Sequence, residues 1–172
     1  MLKQVKIIAV LLVGILLSGA AAAQSNVAVF NLQAAIMSTD VAKSKVNALK
    51  TSSEYSKLQS NAESIRDEVK KMAEDAKKNG MTWSDEQKAE QQRKMNFKRS
   101  DFESTVKKLR ALEGQVGQEI QKTMAPKAKA ALEAIIKEKK LDLVLNAESA
   151  FYAGPSYDLT AEVVKRMNAD KK

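Results

Sequence analysis

YSKLQSNAESIRDEVKKMAEDA, residues 55–76, is the stretch whose reading decides the fold. Its apolar positions are Tyr55, Leu58, Ala62, Ile65, Val69, Met72 and Ala76, spaced alternately three and four apart. On a helix that spacing draws a narrow two-position stripe, the seam of a coiled coil and not the broad apolar face of a globular helix. No Pro or Gly interrupts the chain from Asp40 to Asn79, so the predicted helix fills that whole span. A stripe this narrow is covered only by a second helix carrying a matching stripe.

The residues that follow supply one. Asn79-Gly80 breaks the pattern, with Gly80 read as a left-handed cap and Lys77 and Lys78 complementing the helix dipole before it. Ser84-Asp85-Glu86-Gln87 is a capping box that opens a new helix at once, which returns antiparallel beside the first. That helix is expected from Asp85 to about Lys140. Met95, Phe102, Leu109 and Val116 recur every seven residues, with Val106 and Ile120 on the companion position, which Arg99 and Glu113 interrupt. Gly114, Gly117 and Pro126 mark a weak region, where Pro126 is expected to kink the helix or start a new segment. At about 1.5 Å per residue the part before Pro126 is a rod of about 60 Å, too long for a compact domain, so it projects.

Both chain ends carry strand signals. Val27-Ala28-Val29-Phe30, between Asn26 and Asn31, reads as a strand, followed by a connecting stretch from Asn31 to Thr39. Beyond Pro126, Ala128, Leu132, Ile135 and Ile136 line an amphipathic helix, Leu141-Asp142-Leu143-Val144-Leu145 reads as a second strand, and Ala150-Phe151-Tyr152 as a short third. Gly154-Pro155 turns the chain, and Asp158-Leu159-Thr160 caps a last helix bearing Val163, Val164 and Met167. The fold class is therefore α+β, predominantly α: a long antiparallel coiled-coil hairpin on a small strand-containing body. The expected division is 1–23 signal peptide, 24–39 body, 40–125 arm with its tip near 79–84, and 126–172 body. A body of roughly sixty residues is marginal without disulfides, metal or oligomerisation, so it is expected to associate with further copies of itself.

Lys3 and Lys6, the apolar run Ile7–Leu17 and Ala21-Ala22-Ala23 before Gln24 form a cleavable export signal. The run falls short of the roughly 20 residues that span a bilayer. The chain has no Cys and no His, which removes thiol nucleophiles, imidazole bases and the usual zinc or copper sites. P-loop, dinucleotide and EF-hand patterns are also absent, so neither a cofactor nor catalysis is expected. Without the two signal lysines, 27 basic side chains face 21 acidic ones. That mild excess, finely interspersed, reads first as a solvated helical surface.

The strand Val27–Asn31, the segment Leu141–Leu145 and the segment Asp158-Leu159-Thr160-Ala161-Glu162-Val163 resemble, in order and spacing, those of the Skp/OmpH-like periplasmic chaperones of Gram-negative bacteria. With the signal peptide and the charged hairpin, the resemblance covers essentially the whole mature chain. It implies a homotrimer whose arms hang around a cavity and hold unfolded outer-membrane proteins in the periplasm without ATP. An association with lipopolysaccharide or an anionic membrane surface is also implied, though no motif here maps it.

In such a protein, candidate client contacts are Met81 and Trp83 at the tip, Phe97, and the densest positive stretch, Arg93, Lys94, Lys98 and Arg99. Met72 and Met95 read as filling of the hairpin seam, and the cations also read as a solvated face with partners such as Glu90-Lys94. Two other classes share the heptads and charge. A structural coiled-coil envelope protein has no need of strands at both termini. A nucleic-acid-binding protein is disfavoured by export and by scarce aromatics, so no nucleic-acid partner is expected.

Overall fold

The computed structural model describes residues 26–170; the expected signal peptide, 1–23, lies outside them. The chain runs β1 (Val27–Phe30), α1 (Leu32–Ser38), α2 (Asp40–Thr51), α3 (Ser53–Asn79), α4 (Asp85–Lys139), β2 (Leu143–Asn146) and α5 (Thr160–Ala169). Short 3-10 turns at Ala147–Ser149 and Pro155–Tyr157 lie between β2 and α5. The fold is predominantly helical with one small sheet, as the sequence implies.

The strands from opposite ends of the chain pair in parallel, Val27 beside Leu143 and Phe30 beside Asn146. Asn26 extends the pairing by accepting from the amides of Asp142 and Leu143. The connection between the strands is the entire arm. The expected third strand at Ala150–Tyr152 does not form: Phe151 and Tyr152 are fully or largely exposed. What lies on the far side of β1 is a single parallel bridge from Val29 to Asp158, where the Leu159 amide donates to the Val29 carbonyl at 3.0 Å. Asp158 is held there because its carboxylate also caps the amide of Thr160, tying this bridge to the start of α5.

The stretch Asn31–Thr39, expected as a connection, is mostly helix. Asn31 caps it through the Ala34 amide at 2.8 Å, and burial of Ala35 and Ile36 against α4 and α5 holds it in place. The first arm helix is likewise broken where continuity was expected. Ser52 adopts extended backbone and its hydroxyl accepts from the Tyr55 amide, while Thr51 donates back to the carbonyls of Asn47 and Ala48. In the run Thr51-Ser52-Ser53 these side chains compete with the helix ladder for backbone groups, and one turn gives way.

Helix α4 runs unbroken through Pro126, contrary to a segment boundary there. The proline removes one amide on the exposed side, while Met124, Ala128, Ala131 and Ile135 are buried on the other and keep the helix continuous. At about 1.5 Å per residue its 55 residues span ~80 Å. Its lower part is the spine of the head: Ile120, Met124, Ala128 and Ile135 pack with Ala28, Phe30, Ile36, Leu159, Val163 and Met167 in one core. The helix ends on Lys140 in the left-handed region, φ 50, with the Leu141 amide donating to Ile136 O at 3.0 Å. That reversal turns the chain into β2.

Above the core the arm is two helices thick. Ala62, Ile65, Met95 and Thr105 are buried in its seam, and Val106, expected inside, is only half-buried. Polar rungs cross the pair: Lys45 to Glu119, Tyr55 Oη donating to Glu113 at 2.7 Å, Asn61 donating to Thr105 Oγ1 at 3.4 Å, and Lys98 to Glu68 at 2.6 Å. Gly80 is right-handed, φ −61, not the left-handed cap expected. Glycine is needed there because a Cβ would collide with the Ala76 carbonyl oxygen that its own amide bonds.

Candidate functional site

The tip of the arm is a tight turn. Thr82 returns both its amide and its hydroxyl to the Asn79 carbonyl, and the Ser84–Gln87 capping box starts α4 two residues later. This geometry pushes Met81 outward until it is 96% exposed. Trp83 stays half-buried, against the first turns of α4, where it lines a shallow hollow with Glu86, Gln87, Glu90, Gln91 and Lys94. Of the two tip residues, Met81 is thus presented to solvent, while Trp83 is also part of the turn's own packing.

Phe97 is 71% exposed, an unusual position for a phenylalanine on a helix with a seam available. It faces away from the seam because its neighbour at the heptad position is Met95, which is buried. Phe97 lines a hollow of about 400 Å³ with Met72, Glu90, Arg93, Lys94 and Lys98. Met72, read from the sequence as seam filler, is half-buried and reaches this surface; Met95 is the filler expected.

The four cations of this stretch divide sharply. Arg93 donates to Glu90 at 2.8 Å, and Lys94 reaches the other oxygen of the same carboxylate at 3.4 Å. Those hydrogen bonds hold the Glu90 carboxyl below its usual value. Lys98 crosses to Glu68 on α3, and each partner favours the charged form of the other, Glu68 shifted down and Lys98 up, mainly through the hydrogen bond. Arg99 instead lines a cleft of about 200 Å³ with Arg66, Val69, Phe102 and Glu103. The structure therefore gathers Phe97, Arg93, Lys94 and Lys98 into one surface and sets Arg99 in another. Sequence reasoning named Glu90 as a partner of Lys94 but missed Glu68 and Arg66. The Glu90–Lys94 pair was visible in the sequence at helical spacing, whereas Glu68–Lys98 and Arg66–Arg99 needed the register between two helices.

A second apolar surface lies on the head. Leu143 and Leu145 on β2 are exposed by 47% and 43%, and Phe151, Tyr152 and Tyr157 follow close behind in the chain. The outer edge of β2 has no strand beside it among the described residues. Among the described residues, no cluster of acidic, Cys or His side chains could hold a metal ion. No described helix is long and apolar enough to cross a membrane.

The arrangement offers apolar and charged surface for binding, and known proteins match it along nearly its full length. A "Skp-like protein" from Pseudomonas aeruginosa is 27% identical over 158 residues, 90% of each chain. The crystal structure of a putative outer membrane chaperone (OmpH-like) from Caulobacter crescentus has the same fold. Its TM-score is 0.51 at 18% identity, covering 86% of each chain. The family model described as outer membrane protein (OmpH-like) matches residues 26–167, from the start of β1 almost to the end of α5, and the chain belongs to that OmpH-like family.

Proposed function

We propose that this protein is an ATP-independent periplasmic holding chaperone. Its copies associate through the head, and their arms enclose unfolded outer-membrane proteins and keep them from aggregating. The family is non-enzymatic, so the role is one of binding. Chaperone is also the word attached to the Caulobacter structure. The observation that carries the reading is the exposure of Met81 and Phe97 on a thin arm whose own seam is already filled. Phe97 and the half-buried Met72 share one hollow bordered by Glu90, Arg93, Lys94 and Lys98, and apolar surface rimmed by polar residues marks interaction sites.

An unfolded outer-membrane protein exposes alternating apolar residues and open strand edges, both prone to aggregate. A holder needs many weak contacts, which flexible methionine and a charged, hydrated rim provide. Binding the unfolded form lowers its free concentration by mass action, without an energy source. The open edge of β2 and the exposed Leu143, Leu145, Phe151 and Tyr152 support association of heads, and a homotrimer follows the family resemblance. Export by the signal peptide at 1–23 brings the chain to the periplasm.

The test is the mass, in solution, of what forms when a urea-unfolded porin is diluted into the purified protein. The reading expects one soluble species with the mass of a homotrimer plus one porin. A monomeric protein, or porin recovered only in the pellet, contradicts it.

A further inference from the structure

Arg99 differs from the cations around it. Arg93, Lys94 and Lys98 are each bound to Glu90 or Glu68, whereas Arg99 has no carboxylate within ion-pair distance among the described residues. Across the arm from it stands Arg66, on α3, whose one carboxylate contact among the described residues is its sequence neighbour Asp67 at 3.8 Å, with both side chains exposed. Between the two arginines lies the cleft of about 200 Å³, floored by the half-buried Val69 and Phe102. Glu103 sits at its rim and bonds neither arginine.

We propose that this cleft is a docking slot for an unfolded polypeptide segment in which an acidic side chain stands next to an apolar one. The apolar side chain lies on Val69 and Phe102, and its carboxylate neighbour is gripped between Arg66 and Arg99. The inference rests on the holding function and names the chemistry of one contact within it. Charge complementarity fixes the partner's sign: Asp67 approaches Arg66 only at Nε, 3.8 Å away, and Glu103 bonds neither arginine, so the terminal nitrogens of both guanidinium groups stay open to a carboxylate. Arginine forks also match the planar, two-oxygen shape of a carboxylate. Size fixes the rest. At about 200 Å³ the cleft is smaller than the roughly 300–1,000 Å³ of small-molecule pockets, so it suits the side chains of a segment lying across it and not an enclosed small molecule. An unfolded chain with alternating polar and apolar residues presents the required pair repeatedly.

The test uses the full exported protein and three probes. They are a fluorescent peptide alternating glutamate with valine and phenylalanine, the same peptide with glutamine for glutamate, and phosphatidylglycerol vesicles. Arg66 and Arg99 are both exposed, so Arg66→Gln/Arg99→Gln is expected to keep the wild-type helix signal. This variant should bind the glutamate peptide about tenfold more weakly, with the other two probes within about twofold of wild type. Arg93→Gln/Lys94→Gln should leave all three within about twofold, because those cations are already paired. Equal weakening by both variants, equal loss for both peptides, or a loss confined to the vesicles overturns the slot. A wild-type protein that binds the glutamate peptide but leaves porin insoluble contradicts the holding function and not the slot. Soluble porin together with undiminished peptide binding by Arg66→Gln/Arg99→Gln overturns the slot alone.

Discussion

Ile135 has no solvent exposure and sits on the part of α4 that forms the spine of the head, in the same core as Ile36, Ile120 and Val163. Replacing it with alanine removes roughly three carbon groups at about 0.8 kcal/mol each, or about 2.4 kcal/mol of transfer free energy. A cavity contribution comes on top, because a core built on a continuous helix collapses poorly into the gap; measured Ile→Ala substitutions in cores cost about 2–5 kcal/mol. The head has few other large, fully buried side chains, chiefly Ile36, Ile120, Met124 and Val163. A loss of about 3 kcal/mol is therefore a sizeable share of a total near 5–15 kcal/mol. With a urea dependence of about 2 kcal/mol/M, the unfolding midpoint should fall by about 1.5 M. The assay is urea unfolding at fixed protein concentration, followed by helix signal and by the fluorescence of Trp83. Fixed concentration matters because an associating head is also stabilised by its partner copies. A midpoint within about 0.3 M of wild type would refute the reasoning, since it would mean the head core does not hold the chain ends together.

Other outcomes follow from the same geometry. Gly80→Ala drives a Cβ into the Ala76 carbonyl and should destabilise the tip by about 1–3 kcal/mol, read as a lower melting temperature with Trp83 fluorescence altered. Arg166 grips Glu138 through its two terminal guanidinium nitrogens, Nη1 and Nη2, at 2.9 and 2.6 Å, holding that carboxyl below its usual value of 4.5. Its stabilising contribution is therefore complete above about pH 4.5 and lost as the pH falls through the folded-state value. Melting curves from about pH 5 to about pH 3 should fall less steeply for Glu138→Gln than for wild type. Leu145→Glu places a charge on the exposed face of β2 and should lower the mass of the species in solution while leaving the helix signal intact. An unchanged mass would show that the heads associate elsewhere.

The arm was legible because its pattern is long and strictly periodic. The seam from Tyr55 to Ala76, the capping box at Ser84 and the pairing of strands from both chain ends all follow from local chemistry or from the antiparallel return. The errors lie where tertiary packing decides. Asn31–Thr39 is too short to show helical periodicity, and only the burial of Ala35 and Ile36 makes it helix. Pro126 reads as a break in isolation, but core contacts on the opposite face keep α4 continuous. Phe151 and Tyr152 look like strand by composition, yet it is Asp158 that reaches β1. Among the candidate contacts, exposure of Met81 and Phe97 could not be read from residue type. The partners of Lys98 and Arg99 depend on a register that neither helix encodes alone.

The central claim is that the arms keep unfolded outer-membrane protein from aggregating, and light scattering tests it most directly. A porin diluted from urea into the purified protein, at near-equal amounts of porin and assembled chaperone, should scatter no more than buffer. Scattering should rise part of the way towards that of porin alone for a variant with Met81→Ser and Phe97→Ser together. Scattering by porin that is the same with and without the wild-type protein would contradict the account.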